Sequence, residues 1–183
     1  MFILSYTLKK IELGRRYLVI LTLVAVLTLA FAVLAAGDKS QSSSDSSKAL
    51  KANLKGFNEV PAVSTSGSGE FRGKISQDET SIEYELSYSG LEGTATAAHI
   101  HLGQKDVNGG IIAFLCGGGG KPACPASGTV TGTIMAADII GPSAQGISAG
   151  EFAEALKAIR SGVTYANVHS SMVPGGEIRG QIK

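Results

Sequence analysis

The amino-acid sequence predicts an all-β domain: an antiparallel Greek-key sandwich or barrel of about eight strands with one short helix, preceded by an N-terminal hydrophobic leader helix. Charged residues make up only 17% of the 183 residues and Gly occurs 24 times, a composition that disfavours packed helices and coiled coils. The pattern Gly-x-apolar-x-Gly-x-Ile occurs three times. Other short alternating segments are separated by Gly, Pro, Asn and Ser turns, which is typical of antiparallel β folds.

Residues 1–37 form the predicted leader. The run from Tyr17 to Ala36 carries no charge and follows four basic residues. Its length suits a membrane anchor, because twenty helical residues span about 30 Å of hydrocarbon. Small residues at its end, Val33 and Ala35, suit a cleaved signal peptide instead. Under both alternatives the rest is exported, either secreted or anchored to the outer face of the cell membrane, with the membrane as a partner if the segment stays uncleaved.

Residues 38–48 form a Ser-rich segment without apolar side chains, which predicts a tether because such a segment cannot bury enough surface to fold. Residues 49–183 form the predicted β domain. The formal net charge of the whole chain is only +1. This balance gives no electrostatic support for nucleic-acid binding, so a polynucleotide partner is excluded from the prediction.

Eight strands are predicted from alternating apolar residues, at 49–56, 69–75, 81–89, 95–102, 111–116, 128–134, 163–170 and 176–182. Three of them carry the glycine pattern, GEFRGKI, GTVTGTI and GEIRGQI. Because alternate residues of a strand share a face, the glycines and apolar residues should face the core, where glycine permits close approach of a neighbour. The charged residues between them, such as Glu177 and Arg179, are then predicted to face water as a solvated pair worth about 0 to 1 kcal/mol.

Residues 148–160 break the strand pattern. Ser148 and Glu151 have the spacing of a capping box, and Phe152, Leu156 and Ile159 form one apolar stripe at helical spacing. The segment predicts one short helix near residues 152–160 that joins two late strands.

The chain has two cysteines, Cys116 and Cys124, at the ends of the loop CGGGGKPAC. In an exported protein this predicts a disulfide that closes a glycine-rich loop. A redox or metal-binding pair is the weaker alternative, because the spacing is neither C-x-x-C nor that of a zinc ribbon.

The candidate metal ligands are the three histidines of the chain, His99, His101 and His169. His99 and His101 alternate on one strand, so they share a face with backbones about 6.6 Å apart. Imidazole binds copper and zinc well, and His169 on a late strand is the predicted third ligand. The alternative is that the histidines are half-buried residues bonded to the backbone, or exposed residues without a role.

Three further residues are candidates for supporting this site. The sequence favours solvated surface residues here, and the alternative is that Tyr165, Asn167 or Glu177 orients a liganding histidine through a hydrogen bond, or that Glu177 acts as a fourth ligand. The sequence contains no nucleophile elbow, zinc-protease helix motif or phosphate-binding loop. No catalytic residue is therefore assigned, and a role other than catalysis is favoured.

Three segments resemble the CHRD domain, the module first described in chordin: NEVPAVSTSGSGEF, AAHIHLGQKDVNGGIIAFL and YANVHSSMVPGGEIRGQI. The resemblance covers about residues 50–182 and implies an extracellular β domain without an established general biochemical role. Chordin-like proteins carry further cysteine-rich modules that this chain lacks, so antagonism of growth factors is not inferred for this chain, and the identity of any protein partner is left open.

The H-x-H strand with a distant histidine is also similar to the copper side of copper/zinc superoxide dismutase, another Greek-key barrel with a short-loop disulfide. This chain lacks the further histidines of the bridging and zinc positions, so the likeness implies at most a three-histidine copper or zinc site with an open position. Three functional hypotheses remain: an exported metal-binding domain, a non-catalytic structural or protein-binding module at the cell surface without metal, and a copper-dependent redox enzyme.

Overall fold

The computed structural model describes residues 48–183, which form one antiparallel sheet of eight strands curled into a nearly closed barrel. The predicted leader and residues 38–47 of the predicted tether lie outside the described residues. Within residues 48–183, no helix has the length and apolar character needed to span a membrane.

All eight predicted strands are confirmed, with ends that differ from the prediction by at most two residues. The elements are β1 Ala49–Lys55, β2 Ser68–Ile75, β3 Ser81–Ser89, β4 Ala95–Leu102, β5 Gly110–Cys116, β6 Gly128–Met135, α1 Phe152–Arg160, β7 Thr164–Ser170 and β8 Ile178–Gln181.

The sheet has the strand order β5-β4-β7-β8-β1-β2-β3-β6, and every pairing is antiparallel. β1, β2 and β3 are joined as a meander, whereas the connections from β3 to β4 and from β6 to β7 lead to strands that are not neighbours. Connections that pass over intervening strands in this way are typical of a Greek-key barrel. They bring β4, β7 and β8, which are distant in sequence, side by side.

The interior of the barrel is apolar. In β1, the side chains of Leu50, Ala52 and Leu54 are buried while their neighbours are exposed, as the alternation predicts. β3 has the same alternation, and α1 adds Phe152, Leu156 and Ile159 to the core. Each of the larger of these side chains stabilises the fold by about 1.5–3 kcal/mol when fully buried.

The helix begins later than the capping box predicts. Its N-cap is Glu151 rather than Ser148, and the Glu151 carboxylate accepts a hydrogen bond from the Ser148 backbone N–H at 2.6 Å. This bond closes a turn that precedes the helix. The predicted helix at residues 152–160 is confirmed.

Glycines of the repeated pattern allow close contacts between strands. A Cβ added to Gly132 of β6 would lie 2.6 Å from the Tyr84 hydroxyl oxygen, and one added to Gly180 of β8 would lie 2.4 Å from the Asn53 carbonyl oxygen. Both separations are shorter than real Cβ contacts. The architectural role predicted for these glycines is therefore confirmed.

The prediction that Glu177 and Arg179 face water is wrong. Their exposed fractions are 0% and 2%, whereas Arg72, at the corresponding place in β2, is exposed. The reason is that loops cover the outer face of β8. The loop between β4 and β5 covers Arg179, whereas residues of the loops before β2 and before β4 contact Glu177. The Arg179 guanidinium donates to the carbonyl oxygens of Gln104 and Val107, at 3.1 and 2.8 Å, and to Asn108 Oδ1 at 3.1 Å.

The predicted disulfide between Cys116 and Cys124 is present, with an Sγ–Sγ distance of 2.03 Å. The loop that it closes is also fixed to β6, because Lys121 Nζ pairs with Asp138 at 2.8 Å and donates to the Thr133 carbonyl at 2.8 Å. The disulfide thus closes the glycine-rich loop at the end of β5, and Lys121 attaches that loop to β6.

We expect the double substitution Cys116→Ala/Cys124→Ala to lower the free energy of unfolding by about 2.5 kcal/mol, because the open loop gains chain entropy in the unfolded state. Urea denaturation of the full chain, with and without the substitutions, measures the change. The reduced wild-type chain serves as the control and should match the variant. Equal free energies for the oxidised chain and the variant would contradict a stabilising role.

Candidate metal centre

The pairing of β4 with β7 brings the three histidines to one region of the outer face. In this pairing His99 lies opposite Asn167, His101 opposite Tyr165, and His169 opposite Ala97. Directly opposite residues of an antiparallel pair share a face. The inner face of these strands is apolar, so the imidazoles project to the outside of the barrel, under the loops that cover it.

The histidine side chains converge as predicted. His99 Nδ1 lies 3.1 Å from His169 Nε2, and one ligand atom from each of the three rings lies within 4.8 Å of the others. Nitrogens that bind one ion at about 2.0–2.1 Å are themselves about 3–4 Å apart, so small ring rotations suffice to close the site. The three histidines are positioned to hold a metal ion.

Two of the imidazoles are oriented by backbone carbonyls. His101 Nδ1 lies 2.9 Å from the Gly109 carbonyl oxygen, and His169 Nδ1 lies 2.8 Å from the Pro174 carbonyl oxygen. Because a carbonyl only accepts, each Nδ1 carries the proton and each Nε2 has the lone pair. The lone pair of His169 Nε2 accepts from His99 Nδ1 in the metal-free chain, so an ion bound there would replace this hydrogen bond. The Nε2 atom of His101, like that of His99, is buried without a hydrogen-bond partner. A metal ion would satisfy such an atom.

Burial keeps these imidazoles neutral at neutral pH. The exposed fractions are 6% for His99 and 8% for His101. Burial, reinforced by His169 and His101, lowers the pKa of His99 to about 3. Burial also lowers the pKa of His101 to about 4, although its bond to Gly109 acts in the opposite direction. The neutral imidazole is the form that binds metal, so these groups need not lose a proton first.

Tyr165 and Phe114 fix the histidine rings by contact. The Tyr165 ring is stacked on His101, with centroids 4.8 Å apart and planes at 2°, and its hydroxyl accepts from the Gly109 N–H at 3.3 Å. Phe114 of β5 meets the His99 ring edge to face at 4.4 Å. Tyr165 therefore contacts both His101 and the loop whose carbonyl orients it, through stacking and a bond to Gly109. The predicted hydrogen bond from Tyr165 to a liganding histidine stays a prediction.

The contacts of Glu177 are with two loops and not, as the prediction required, with a histidine. Its Oε1 accepts from the Thr65 hydroxyl at 2.6 Å and from the Glu92 backbone N–H at 2.7 Å, so it connects two loops. The cluster of potential ligands found among residues 48–183 contains the three histidines and does not include this carboxylate. A role of Glu177 as fourth ligand stays a prediction.

Glu59 is a residue of this region that the sequence analysis missed. It is only 6% exposed, and burial raises its pKa to about 7 even though Arg179 and Asn167 lower it. One feature of the sequence could have indicated Glu59, because it is the only charged residue between Lys55 and Glu70. Nothing in that loop sequence indicated, however, that it would fold against the histidine face.

We expect Glu59→Gln to stabilise the metal-free chain at pH 8.5 and not at pH 4. The native carboxyl holds its proton up to about pH 7, whereas the unfolded one releases it near 4.5, so the wild-type chain loses stability as pH rises through this window. The difference should reach about 3 kcal/mol at most, since one pKa unit corresponds to about 1.4 kcal/mol. Urea denaturation in chelator at the two pH values measures it, and a pH-independent difference would refute the prediction.

In the comparison with known protein families, the model of the CHRD domain matches residues 50–182. No curated protein matches the chain. The match includes the three histidines and all eight strands except Ala49, the first residue of β1, and it confirms the resemblance drawn from the sequence motifs. The likeness to the copper side of superoxide dismutase stays a prediction.

Proposed function

The chain belongs to the CHRD domain family, and from this premise we propose that it is an exported domain protein that binds one transition-metal ion, copper or zinc, through His99, His101 and His169. The observation that carries the proposal is the convergence of these three side chains, with one potential ligand atom from each within 4.8 Å of the others. Two buried nitrogens without partners, His99 Nε2 and His101 Nε2, support it.

The donor set favours copper or zinc over the hard cations. Imidazole nitrogens suit copper and zinc, whereas magnesium and calcium prefer oxygen ligands. Three protein ligands leave a fourth position of a tetrahedral ion open to water or a small ligand. The role proposed for these residues is to bind the ion and to orient the rings through Gly109, Pro174 and Tyr165.

Export is supported by two features. The first is the disulfide between Cys116 and Cys124, because disulfides persist in oxidising compartments outside the cytosol. The second is the uncharged run from Tyr17 to Ala36 behind basic residues. The proposed location is therefore outside the cytoplasm, with the domain either secreted or held at the outer face of the membrane.

A metal titration of the purified, chelator-treated full chain tests the proposal. We expect one equivalent of Zn²⁺ or Cu²⁺ to bind and to raise stability by about 2.7 kcal/mol when free metal is 100 times the Kd. The variant His99→Ala/His101→Ala should fold and show neither effect. A wild-type chain that binds no metal would instead favour the non-catalytic structural or protein-binding module.

A further inference from the structure

The ring of His99 is held differently from the other two imidazoles. His101 and His169 each donate from Nδ1 to a backbone carbonyl, a bond that fixes the orientation of a liganding ring. In the described part of the chain, no carbonyl bonds to the His99 ring: its Nδ1 lies 3.1 Å from His169 Nε2, and its Nε2 has no partner. An ion at His169 would replace the first of these contacts. The orientation of His99 in a metal-bound chain therefore depends on the side chains that pack against it.

Phe114 packs against the His99 ring from β5. The two rings meet edge to face, with centroids 4.4 Å apart and planes at 84°. A register shift in the β4–β5 pairing brings them together, because Cys116 lies opposite Ala98 but Phe114, and not Leu115, lies opposite His99. An extra residue of this kind in one strand changes the direction of the side chains beside it. Leu115 is fully buried in the core, which leaves Phe114 on the histidine face.

The loop between the two cysteines packs on the Phe114 ring. A Cβ added to Gly118 would lie 2.5 Å from Phe114 Cε1, and one added to Gly119 would lie 2.6 Å from Phe114 Cδ2. Both separations are shorter than real Cβ contacts, so the backbone of these glycines lies directly against the ring. The position of the Phe114 ring therefore depends on the position of the loop.

The disulfide keeps this loop in place. It joins Cys116, the last residue of β5, to Cys124. Residues 117–120 between them are four glycines, the residue type with the largest conformational freedom. An open loop of this composition would hold Phe114 less firmly, and Phe114 would in turn hold His99 less firmly.

We propose that the loop closed by the disulfide positions His99 for metal binding, with Phe114 as the positioning residue through which the loop acts. A chain with the disulfide then binds Zn²⁺ more tightly than a chain with an open loop. The disulfide has this role in addition to its effect on stability. This inference rests on the proposed function, because it requires that the histidines bind metal.

Zn²⁺ affinities of full-chain variants, measured by competition with a chromophoric chelator at neutral pH, test this connection. Cys116→Ala/Cys124→Ala and Phe114→Leu should each lower the affinity by about 10-fold, the lower end of the range for groups that support metal ligands. Alanine replaces the cysteines because a free thiolate would itself bind zinc. In the Phe114→Leu background the cysteine substitutions should cause little further loss, because the effects of residues that act through one another are not additive.

Two glycine variants separate contact with Phe114 from a general loss of stability. Gly118→Ala places a methyl group against the ring at a position without left-handed backbone, and it should lower the Zn²⁺ affinity by about 10-fold. Gly128→Ala is the control, because its added Cβ meets no atom within 4 Å and its φ of +115° strains the substituted chain. The control should lower stability in urea and leave the affinity unchanged. In NMR spectra of the imidazole nitrogens of the zinc-loaded chain, Gly118→Ala should shift the His99 signals more than those of His101.

Each outcome decides the proposal. Unchanged Zn²⁺ affinity in Phe114→Leu or Gly118→Ala would overturn it, and so would additive losses when the Phe114 and cysteine substitutions are combined. If the cysteine variant does not fold, Phe114→Leu and Gly118→Ala carry the test with the disulfide intact. A wild-type chain that binds no Zn²⁺ would refute the proposed function itself, whereas wild-type binding that the variants leave unchanged would refute only the role of the loop.

Discussion

Replacing His101 by Ala is expected to weaken Zn²⁺ or Cu²⁺ binding by more than about 100-fold, because a lost ligand costs more than the 10- to 100-fold loss of a supporting group. His101 is a candidate ligand whose ring is held by the Gly109 carbonyl at 2.9 Å and by the stacked Tyr165 ring. Without it, only His99 and His169 remain, and two imidazoles hold an ion weakly. The side chain lies on the outer face of the barrel, so the core and the fold should be unchanged.

Isothermal titration calorimetry of the chelator-treated full chain measures this loss. Tyr165→Phe is the matched control, because it keeps the ring that stacks on His101 and removes only the hydroxyl that accepts from Gly109. We expect the control to lose at most about tenfold, the lower end of the range for supporting groups. Equal binding by His101→Ala and the wild-type chain would assign the metal to other residues.

Arg179→Met is expected to lower the free energy of unfolding by about 3 kcal/mol or more, because a buried donor group with several acceptors is lost. The substitution removes hydrogen bonds to Gln104, Val107 and Asn108, and it removes the guanidinium that lies 3.4 Å from the centre of the Tyr165 ring. The Val107 carbonyl would lose its bond from the guanidinium, and the Gln104 carbonyl would keep only the bond from the Val107 N–H. Urea denaturation of the metal-free chain measures the change.

The repeated strand pattern supplies a control for this prediction. Arg72 has the same place in GEFRGKI as Arg179 has in GEIRGQI. Its side chain is 57% exposed and pairs with Glu70 at 2.9 Å, so Arg72→Met should change stability by only about 0.5 kcal/mol. Similar losses for the two variants would show that burial by the β4–β5 loop does not matter.

The strands were predictable because their signal is local. Alternating apolar residues in segments such as SIEYELSYS specify a strand and its buried face without knowledge of the rest of the chain. The site was partly predictable for the same reason. His99 and His101 had to share a face of one strand, and His169 was the remaining candidate for a third ligand.

The environment of β8 could not be predicted from its own residues. GEFRG and GEIRG are nearly identical, yet the arginine of the first is exposed to solvent and that of the second is buried under the β4–β5 loop. What differs is the order of strands in the sheet, which places β8 between β7 and β1. Glu59 was missed on similar grounds, because its loop folds onto the histidine face through contacts between residues more than a hundred positions apart, such as Asn58 with Arg179.

Anomalous diffraction from crystals of the chain loaded with Zn²⁺ or Cu²⁺ would locate the ion itself. We expect one peak at about 2.0–2.1 Å from a nitrogen of each of His99, His101 and His169. The Nδ1–H groups of His101 and His169 should still donate to the Gly109 and Pro174 carbonyls, so that both rings bind through Nε2. A peak held by other residues, or no peak between these three rings, would contradict a three-histidine metal centre.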